Sequence, residues 1–481
     1  MNYKLIMRLL GAVLWYEGLM MLPSLGVALY YGEGDATAFA LSIGILLAAG
    51  RALRRLTPRN RPMQPREGFA AVAIIWLFIS AFGALPFVLS GAIPNCVDAL
   101  FECASGFTTT GSTLVANVEA LPHGILFWRS FTHLLGGMGV LVLAMALMPT
   151  MGAGTVYLLK AESPGPTPGK LLPKLGATAK VLYLIYILMT VLLTVLLRLA
   201  GMPLFDAAIH AMGTAGTGGF SNRNLSVGAY ANPMAEWIIA AFMLLFGINF
   251  TLYFYLFVQR DIRRAAKNEE FGLYLVVIGL ATGIIALLVW GQHGPVTSLR
   301  HAFFQVTSII STSGFTTVNF DLWPELARCL LLCLMALGAC AGSTGGGLKV
   351  VRLLLLGKGM FRATGRIIHP RMVRPVKMDG KTLSDEVVHT VLVFTVGFIG
   401  LVVLGTLILA LDDFDFLTTF SAALTAMGNV GPGLGLVGPM GNFAAFSPLS
   451  KLTLALLMII GRLEIFPVLL LFSRETWRKT A

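Results

Sequence analysis

The chain is 481 residues long, 56% hydrophobic and 12% charged, with a mean hydropathy of +0.80 and a formal net charge of +12. A soluble domain carries about 25% charged residues, so most of this chain is built for lipid and no stretch is polar enough for a second, water-soluble domain. The positive balance, which elsewhere would point to nucleic acid, is better explained here by membrane orientation.

At about 20 apolar residues per crossing, spans are expected near 9–31, 36–53, 68–90, 124–149, 178–201, 234–258, 271–291, 324–341, 387–411 and 451–473. The first follows Lys4 and Arg8, contains Glu17 and leads into a second apolar run. It is too long for the core of a cleaved signal and reads as a retained span, with a helix-locking hydrogen bond as the default role of Glu17. Ten spans put both termini on one side. Of the 35 Lys+Arg, 28 fall on the connections assigned to that side, which marks it as the cytoplasm. The opposite connections carry acids (Glu33, Asp35, Asp98, Glu119, Asp206, Asp321, Glu325, Asp412, Asp413, Asp415). Two readings stand for these: a mouth that concentrates cations or an ordinary solvated face. The five cysteines are scattered without a CxxC pair and read as small buried apolar side chains.

After spans three, five, seven and nine comes a stretch too short to cross the bilayer, then a polar glycine loop, then the next span. The short stretches begin near Cys96, Leu204, Val296 and Asp415 and read as half-helices that enter from outside and stop mid-membrane. Aligning the loops on Gly111, Gly219, Gly314 and Gly431 brings Ser105, Gly213, Ser308 and Thr425, all small, to the position six residues upstream. The fold class expected is therefore an all-α polytopic membrane protein with four span–pore-helix–loop–span repeats in pseudo-fourfold arrangement around one pore. Residues 1–66 form a pair of spans outside the repeats. The repeats occupy 67–150, 170–260, 270–360 and 387–481, and 361–386 is a basic cytoplasmic linker.

Irregular backbone at membrane depth is tolerated only where protein buries it or where it lines a watery path. Half-helices entering from outside would point the partial negative charge of their C-termini at the membrane centre, which favours a cation. Glycine lets the following loop turn its carbonyls inward, and neighbouring Thr and Ser can brace it. Four such loops imply a ring of carbonyls that replaces the hydration shell of an alkali cation.

The motifs Ser105-Gly-Phe-Thr-Thr-Thr-Gly-Ser-Thr113, Gly216-Thr-Gly-Gly-Phe-Ser221, Ser311-Thr-Ser-Gly-Phe-Thr316 and Gly428-Asn-Val-Gly-Pro-Gly433 resemble those of the Trk/Ktr/HKT superfamily of cation transporters. Over almost the whole length, including the extra N-terminal pair of spans, the chain is similar to the pore-forming membrane subunits of bacterial Trk potassium uptake systems. The resemblance implies a K⁺ selectivity filter made by Thr109, Thr110 and Gly111, by Thr217, Gly218 and Gly219, by Thr312, Ser313 and Gly314, and by Asn429, Val430 and Gly431. In that superfamily serine at the first filter glycine goes with sodium transport, so Gly111 favours potassium. The loops depart from TVGYG, which implies fewer sites and passage of Rb⁺ as well as K⁺. The resemblance further implies a bacterial inner-membrane location, a homodimer and a cytosolic nucleotide-binding regulatory subunit. No cofactor is expected on this chain itself: Gly431-Pro-Gly433-Leu-Gly435 lacks the dinucleotide fingerprint.

Span eight is interrupted by a glycine-rich stretch, including Gly338, Gly342, Ser343, Thr344, Gly345, Gly346 and Gly347, that cannot hold a helix. It reads as a flexible constriction under the filter or as a structural kink, and the resemblance favours a gate. It lacks the spacing of a phosphate loop. Arg462, an expensive intramembrane charge, reads either as a positive obstacle below the filter that slows flow or meets the gate, or as one half of a helix-locking ion pair. The basic segment from Lys349 to Lys381 suits anionic lipid headgroups or a cytosolic regulator. An ion-coupled symporter with the same pore architecture is the alternative function, although inverted repeats, usual in such carriers, are not what this sequence shows. An enzyme is not expected, because no HExxH, GxSxG or paired-carboxylate constellation is present.

Overall fold

The computed structural model describes residues 2–56, 64–139, 175–369 and 375–477. The end of the expected span 124–149, the connection bearing Lys160, Lys170 and Lys174, and Arg59, Arg61, Arg371, Arg374, Arg478 and Lys479 lie outside the described residues.

Apolar runs in lipid must satisfy their own backbone, so helices dominate. One small departure from an all-α fold is a hairpin pairing Lys377–Met378 with Lys381–Thr382. Its Asp379-Gly380 turn has φ of 49° and 76°, as a two-residue hairpin demands. The turn carries the Asp379 carboxylate to the Glu269 amide, 2.9 Å away.

Six described helices are long and apolar enough to cross a membrane unbroken: Tyr3–Tyr31, Ala36–Arg54, Arg66–Leu89, Ala179–Leu199, Glu269–Gln292 and Asp385–Asp412. The helices that follow the glycine loops are different: the break at Gly338 is the one expected from the glycine-rich stretch, and two bends were not expected. Pro233–Phe246 and Phe250–Phe257 meet at 93°, and Pro448–Arg462 and Phe466–Phe472 at 120°. Glu325–Leu337 stops at Gly338 and the chain resumes as the helix Val350–Ile368, while His123–Gly137 ends two residues before the described segment does. Hydropathy runs on through the 93° bend (Leu-Phe-Gly-Ile-Asn-Phe at 245–250), so apolar counting does not detect it.

Each repeat has the same order of parts. A first helix leads to a half-helix: Cys96–Phe107, Leu204–Gly216, Pro295–Ile310 or Phe416–Gly428. These begin close to where the sequence places them. After the glycine loop comes a 3₁₀ turn (Val118–Ala120, Ser226–Tyr230, Phe320–Leu322 or Gly435–Val437) and then the second helix. A proline sits at the N-cap or first residue of every second helix (Pro122, Pro233, Pro324, Pro448), where its missing N–H costs nothing.

The N-terminal pair of helices docks on the first repeat. The loop between them lets Glu33 accept from the His123 amide at 2.5 Å and face His123 Nδ1 at 2.8 Å. Tyr31 stacks on the His123 ring at 3.8 Å.

Candidate functional site

The four half-helices end in one shared motif. Thr109, Thr217, Thr312 and Asn429 all take the left-handed conformation, with φ of 57°, 55°, 62° and 54°. The amide after each bonds back to the small residue near the helix end: Thr110 to the Ser105 carbonyl (2.9 Å), Gly218 to Gly213 (2.8 Å), Ser313 to Ser308 (2.8 Å) and Val430 to Thr425 (3.0 Å). The left-handed residues bond to Gly106, Thr214, Ile309 and Ala426. This paired closure is a Schellman C-cap, built here on residues that leave the left-handed region to glycine elsewhere. The small residues that the sequence aligns at one offset are thus the acceptors of one bond repeated four times.

The glycine that follows each cap is also left-handed, with φ of 81° at Gly111, 76° at Gly219, 74° at Gly314 and 110° at Gly431. Their neighbours are ordered around a circle. A Cβ on Gly111 would strike the Gly218 carbonyl oxygen, one on Gly219 that of Ser313, one on Gly314 that of Val430, and one on Gly431 that of Thr110, the last at 2.7 Å. First loop meets second, second meets third, third meets fourth, and fourth returns to the first. Ser112 Oγ ties the closing pair by donating to the Gly431 carbonyl at 2.9 Å. All four glycines line one cavity of about 210 Å³, beside Ser112, Thr113 and Phe220. Thr109 Oγ1 and Asn429 Oδ1 are buried oxygens with no hydrogen-bond partner among the described residues, which suits a polar guest near the ring.

Next to the ring, residues 338–347 pack against parts of three of the four repeats. Gly346 donates to Thr312 Oγ1 at 2.7 Å, and a Cβ on Gly346 would strike the Gly428 carbonyl. Phe250 donates to the Gly342 carbonyl at 2.9 Å and Cys340 to Gly247 at 3.1 Å, which ties the loop to the bend of the second repeat. Gly338, Gly342 and Gly347 have φ near +70° (72°, 69° and 76°). Arg462 supplies the remaining link: its guanidinium donates to the Thr344 carbonyl at 2.7 Å and to the Gly136 and Gly137 carbonyls at 2.5 and 2.7 Å. The segment thus meets the second, third and fourth repeats directly and the first through Arg462.

Several residues here escape motif reading. Glu270 Oε1 accepts from Ala341 at 2.6 Å and from Val351 at 3.1 Å, clamping both ends of the glycine-rich loop. Lys349 and Arg352, expected among the cytoplasmic basic residues, are buried instead: Lys349 Nζ donates to the Gly345 carbonyl, and Arg352 pairs with Glu464 at 2.5 Å. The reason is that the first turn of Val350–Ile368, directly after the loop, is buried inside the protein. Glu102 and Arg129 form a buried pair at 2.6 Å behind the first loop. Only Arg129 and Glu464 lay inside expected spans, where charge was an available signal.

Other expectations need correction. Neither carboxyl oxygen of Glu17 has a hydrogen-bond partner among the described residues, so the helix-locking bond is not there. Cys103 and Cys340 are buried, but Cys96, Cys329 and Cys333 lie on the surface. Many of the outer acids are committed to structure rather than to an open mouth: Asp98 pairs with Lys451 at 2.8 Å, Asp206 accepts from Asn222 and Tyr230 at 2.7 Å each, and Asp412 accepts from the Ser447 amide at 2.9 Å.

Residues 36–479 match the family model described as TrkH, cation transport protein. The chain is 39% identical to the Trk system potassium uptake protein TrkH of Salmonella typhimurium (strain LT2) and 38% identical to that of Escherichia coli (strain K12), in both cases over 100% of each chain. The crystal structure of the potassium transporter TrkH from Vibrio parahaemolyticus matches with a TM-score of 0.89 at 35% identity, covering 99% of this chain and 100% of that one. A multi-pass helical framework, four capped half-helices and similarity along the whole length agree: this chain belongs to the TrkH family of cation transport proteins.

Proposed function

We propose that this chain forms a gated potassium uptake pathway across a bacterial inner membrane. The observation that carries the reading is the closed circle of contacts from Gly111 to Gly218, Gly219 to Ser313, Gly314 to Val430 and Gly431 to Thr110. Four main-chain loops around one axis offer carbonyl oxygens to a dehydrated cation, and the C-terminal ends of four half-helices add a favourable field. The relatives' names point to K⁺ as the cargo. Gly111 at the first position supports K⁺ over Na⁺, and Rb⁺ should pass with it.

In this reading, the filter residues are 109–111, 217–219, 312–314 and 429–431, and the loop 338–347 is the gate. Arg462 is both a positive obstacle under the filter and the latch that holds the gate to the first repeat. Residues 67–150, 170–260, 270–360 and 387–481 are the four pore repeats, with 1–66 outside them and 361–386 as a basic cytoplasmic linker. Both termini face the cytoplasm. A homodimer and a cytosolic nucleotide-binding subunit acting on the cytoplasmic face complete the system.

The test is ⁸⁶Rb⁺ flux into liposomes bearing the purified chain, down the Rb⁺ gradient alone. Passive flux blocked by excess K⁺ is expected. Flux that needs a proton or sodium gradient, with no passive component, would replace the gated pathway by a symporter of the same architecture.

A further inference from the structure

The helix His123–Gly137 of the first repeat turns two residues, Arg129 and His133, one turn apart, onto the loop of the second repeat. Both side chains are buried. His133 Nδ1 lies 2.8 Å from the Gly106 carbonyl and Nε2 lies 3.2 Å from the Phe220 amide nitrogen. A carbonyl can only accept and an amide N–H can only donate. Nδ1 therefore carries the proton and Nε2 presents its lone pair, so two backbone groups hold the ring as a single neutral tautomer.

Those two backbone groups belong to different walls of the ring. Gly106 is in the last turn of the first half-helix, and its carbonyl also accepts from Thr109 at 3.1 Å. Phe220 directly follows Gly219. The imidazole stacks on the Phe220 ring at 4.3 Å, and a Cβ on Gly218 would overlap the imidazole. The Arg129 guanidinium lies 4.1 Å from the same phenyl ring and is held by Glu102. Glu102 in turn accepts from Thr113 Oγ1 at 2.8 Å and the Leu114 amide at 3.0 Å, just past the first loop. The next junction is built differently. His210 stacks against Phe315 of the third loop at 5.5 Å, but its nitrogens bond to the Asp206 carbonyl and Ser221 Oγ rather than to that loop's backbone.

We propose that His133 is a filter-positioning residue: by bridging Gly106 and Phe220 through one tautomer, it sets the spacing between the first and second loops and so the preference for K⁺ over Na⁺. The inference rests on the ring being the filter. Carbonyls that replace a hydration shell discriminate through their number, spacing and freedom to move. A rigid strut between two walls restricts that freedom without touching the ion.

The two arms of the imidazole can be separated by substitution. In His133→Gln the amide oxygen reaches the position of Nε2 and keeps the bond from Phe220, losing Gly106. In His133→Asn the amide nitrogen reaches the position of Nδ1 and keeps Gly106, losing Phe220. The experiment is ⁸⁶Rb⁺ uptake by the full-length chain in liposomes, with competition by K⁺ and by Na⁺. Each variant cuts one of the two ties of the bridge, so each is expected to lose about threefold to tenfold in K⁺/Na⁺ preference, the size of one net hydrogen bond of about 0.5–1.5 kcal/mol. A preference within about twofold of the parent in either variant would overturn the inference, because a bridge cut at one end no longer joins the two loops. Failure of both to elute as folded protein would overturn it too, in favour of a purely structural histidine. Gly111→Ser is the reference: if its preference shifts and that of His133→Asn does not, only the positioning role falls. If Gly111→Ser leaves the preference unchanged, the filter assignment fails and the inference falls with it.

Discussion

Gly111→Ser puts a side chain at the tightest point of the ring. The backbone there has φ of +81°, a conformation that costs an L-residue about 1–2 kcal/mol. The added Cβ would also run into the Gly218 carbonyl oxygen. That atom is backbone in the adjoining wall, so no side-chain rotation can relieve the contact. Forcing extra atoms into a packed site costs about 1–3 kcal/mol. Together the two terms amount to about 2–5 kcal/mol, or about 30- to several-thousand-fold in the population of the native ring. Most of that is relieved by separating the first and second loops. The expected result is folded protein whose ⁸⁶Rb⁺ flux and K⁺/Na⁺ preference both fall by about tenfold or more. The decisive comparison is Gly111→Ala, which imposes the same backbone and Cβ without a hydroxyl. Steric separation of the loops makes Ala and Ser equivalent, whereas a hydroxyl acting as an ion ligand makes them differ. Flux and preference within about twofold of the parent in both variants would refute the account, since that is a change of less than about 0.5 kcal/mol.

Three further outcomes follow from the same contacts. Arg462→Ala removes charged donors from the Thr344, Gly136 and Gly137 carbonyls. With such bonds contributing about 1.5–3 kcal/mol each, passive Rb⁺ flux at matched protein should rise about tenfold or more; equal or lower flux would leave only a structural role. Glu270→Ala strands two buried amides, Ala341 and Val351, at about 1–3 kcal/mol each. It should lower the thermal midpoint in a fluorimetric melt and raise basal flux, while Glu270→Gln, which keeps the accepting oxygen, stays close to the parent. Thr312→Val deletes the acceptor of the Gly346 amide, the direct bond between loop 338–347 and the ring. Leak through the closed state should increase by roughly threefold to tenfold for a net bond of about 0.5–1.5 kcal/mol, measured as single-channel open probability in planar bilayers.

Much of the framework was legible before any coordinates. Apolar length located the six described helices long enough to cross a membrane, and the short stretches before Gly111, Gly219, Gly314 and Gly431 were placed to within a residue or so of the helices found there. The periodic signal worked because lipid imposes one rule on every crossing segment: satisfy the backbone internally. It failed where that rule is relaxed. The 93° bend at Gly247 interrupts a run that is apolar apart from Asn249, and the 120° bend falls at Arg462 and Glu464, charges visible in the sequence that do not by themselves specify a turn. Lys349 and Arg352 were assigned to water by their charge, yet Gly345 and Glu464 receive them inside the molecule.

What the sequence by itself determined is local: which segments are apolar, where helices must stop, and which positions need glycine because the chain turns left-handed there. What only the tertiary structure decided is who meets whom. That Gly111 faces Gly218 and Gly431 faces Thr110, that Gly346 meets both Thr312 and Gly428, and that His133 joins Gly106 to Phe220 are contacts between residues up to several hundred positions apart. Local preference fixes φ and burial one residue at a time. Closure of a ring depends on the simultaneous packing of all four repeats, and no single stretch of chain contains that information.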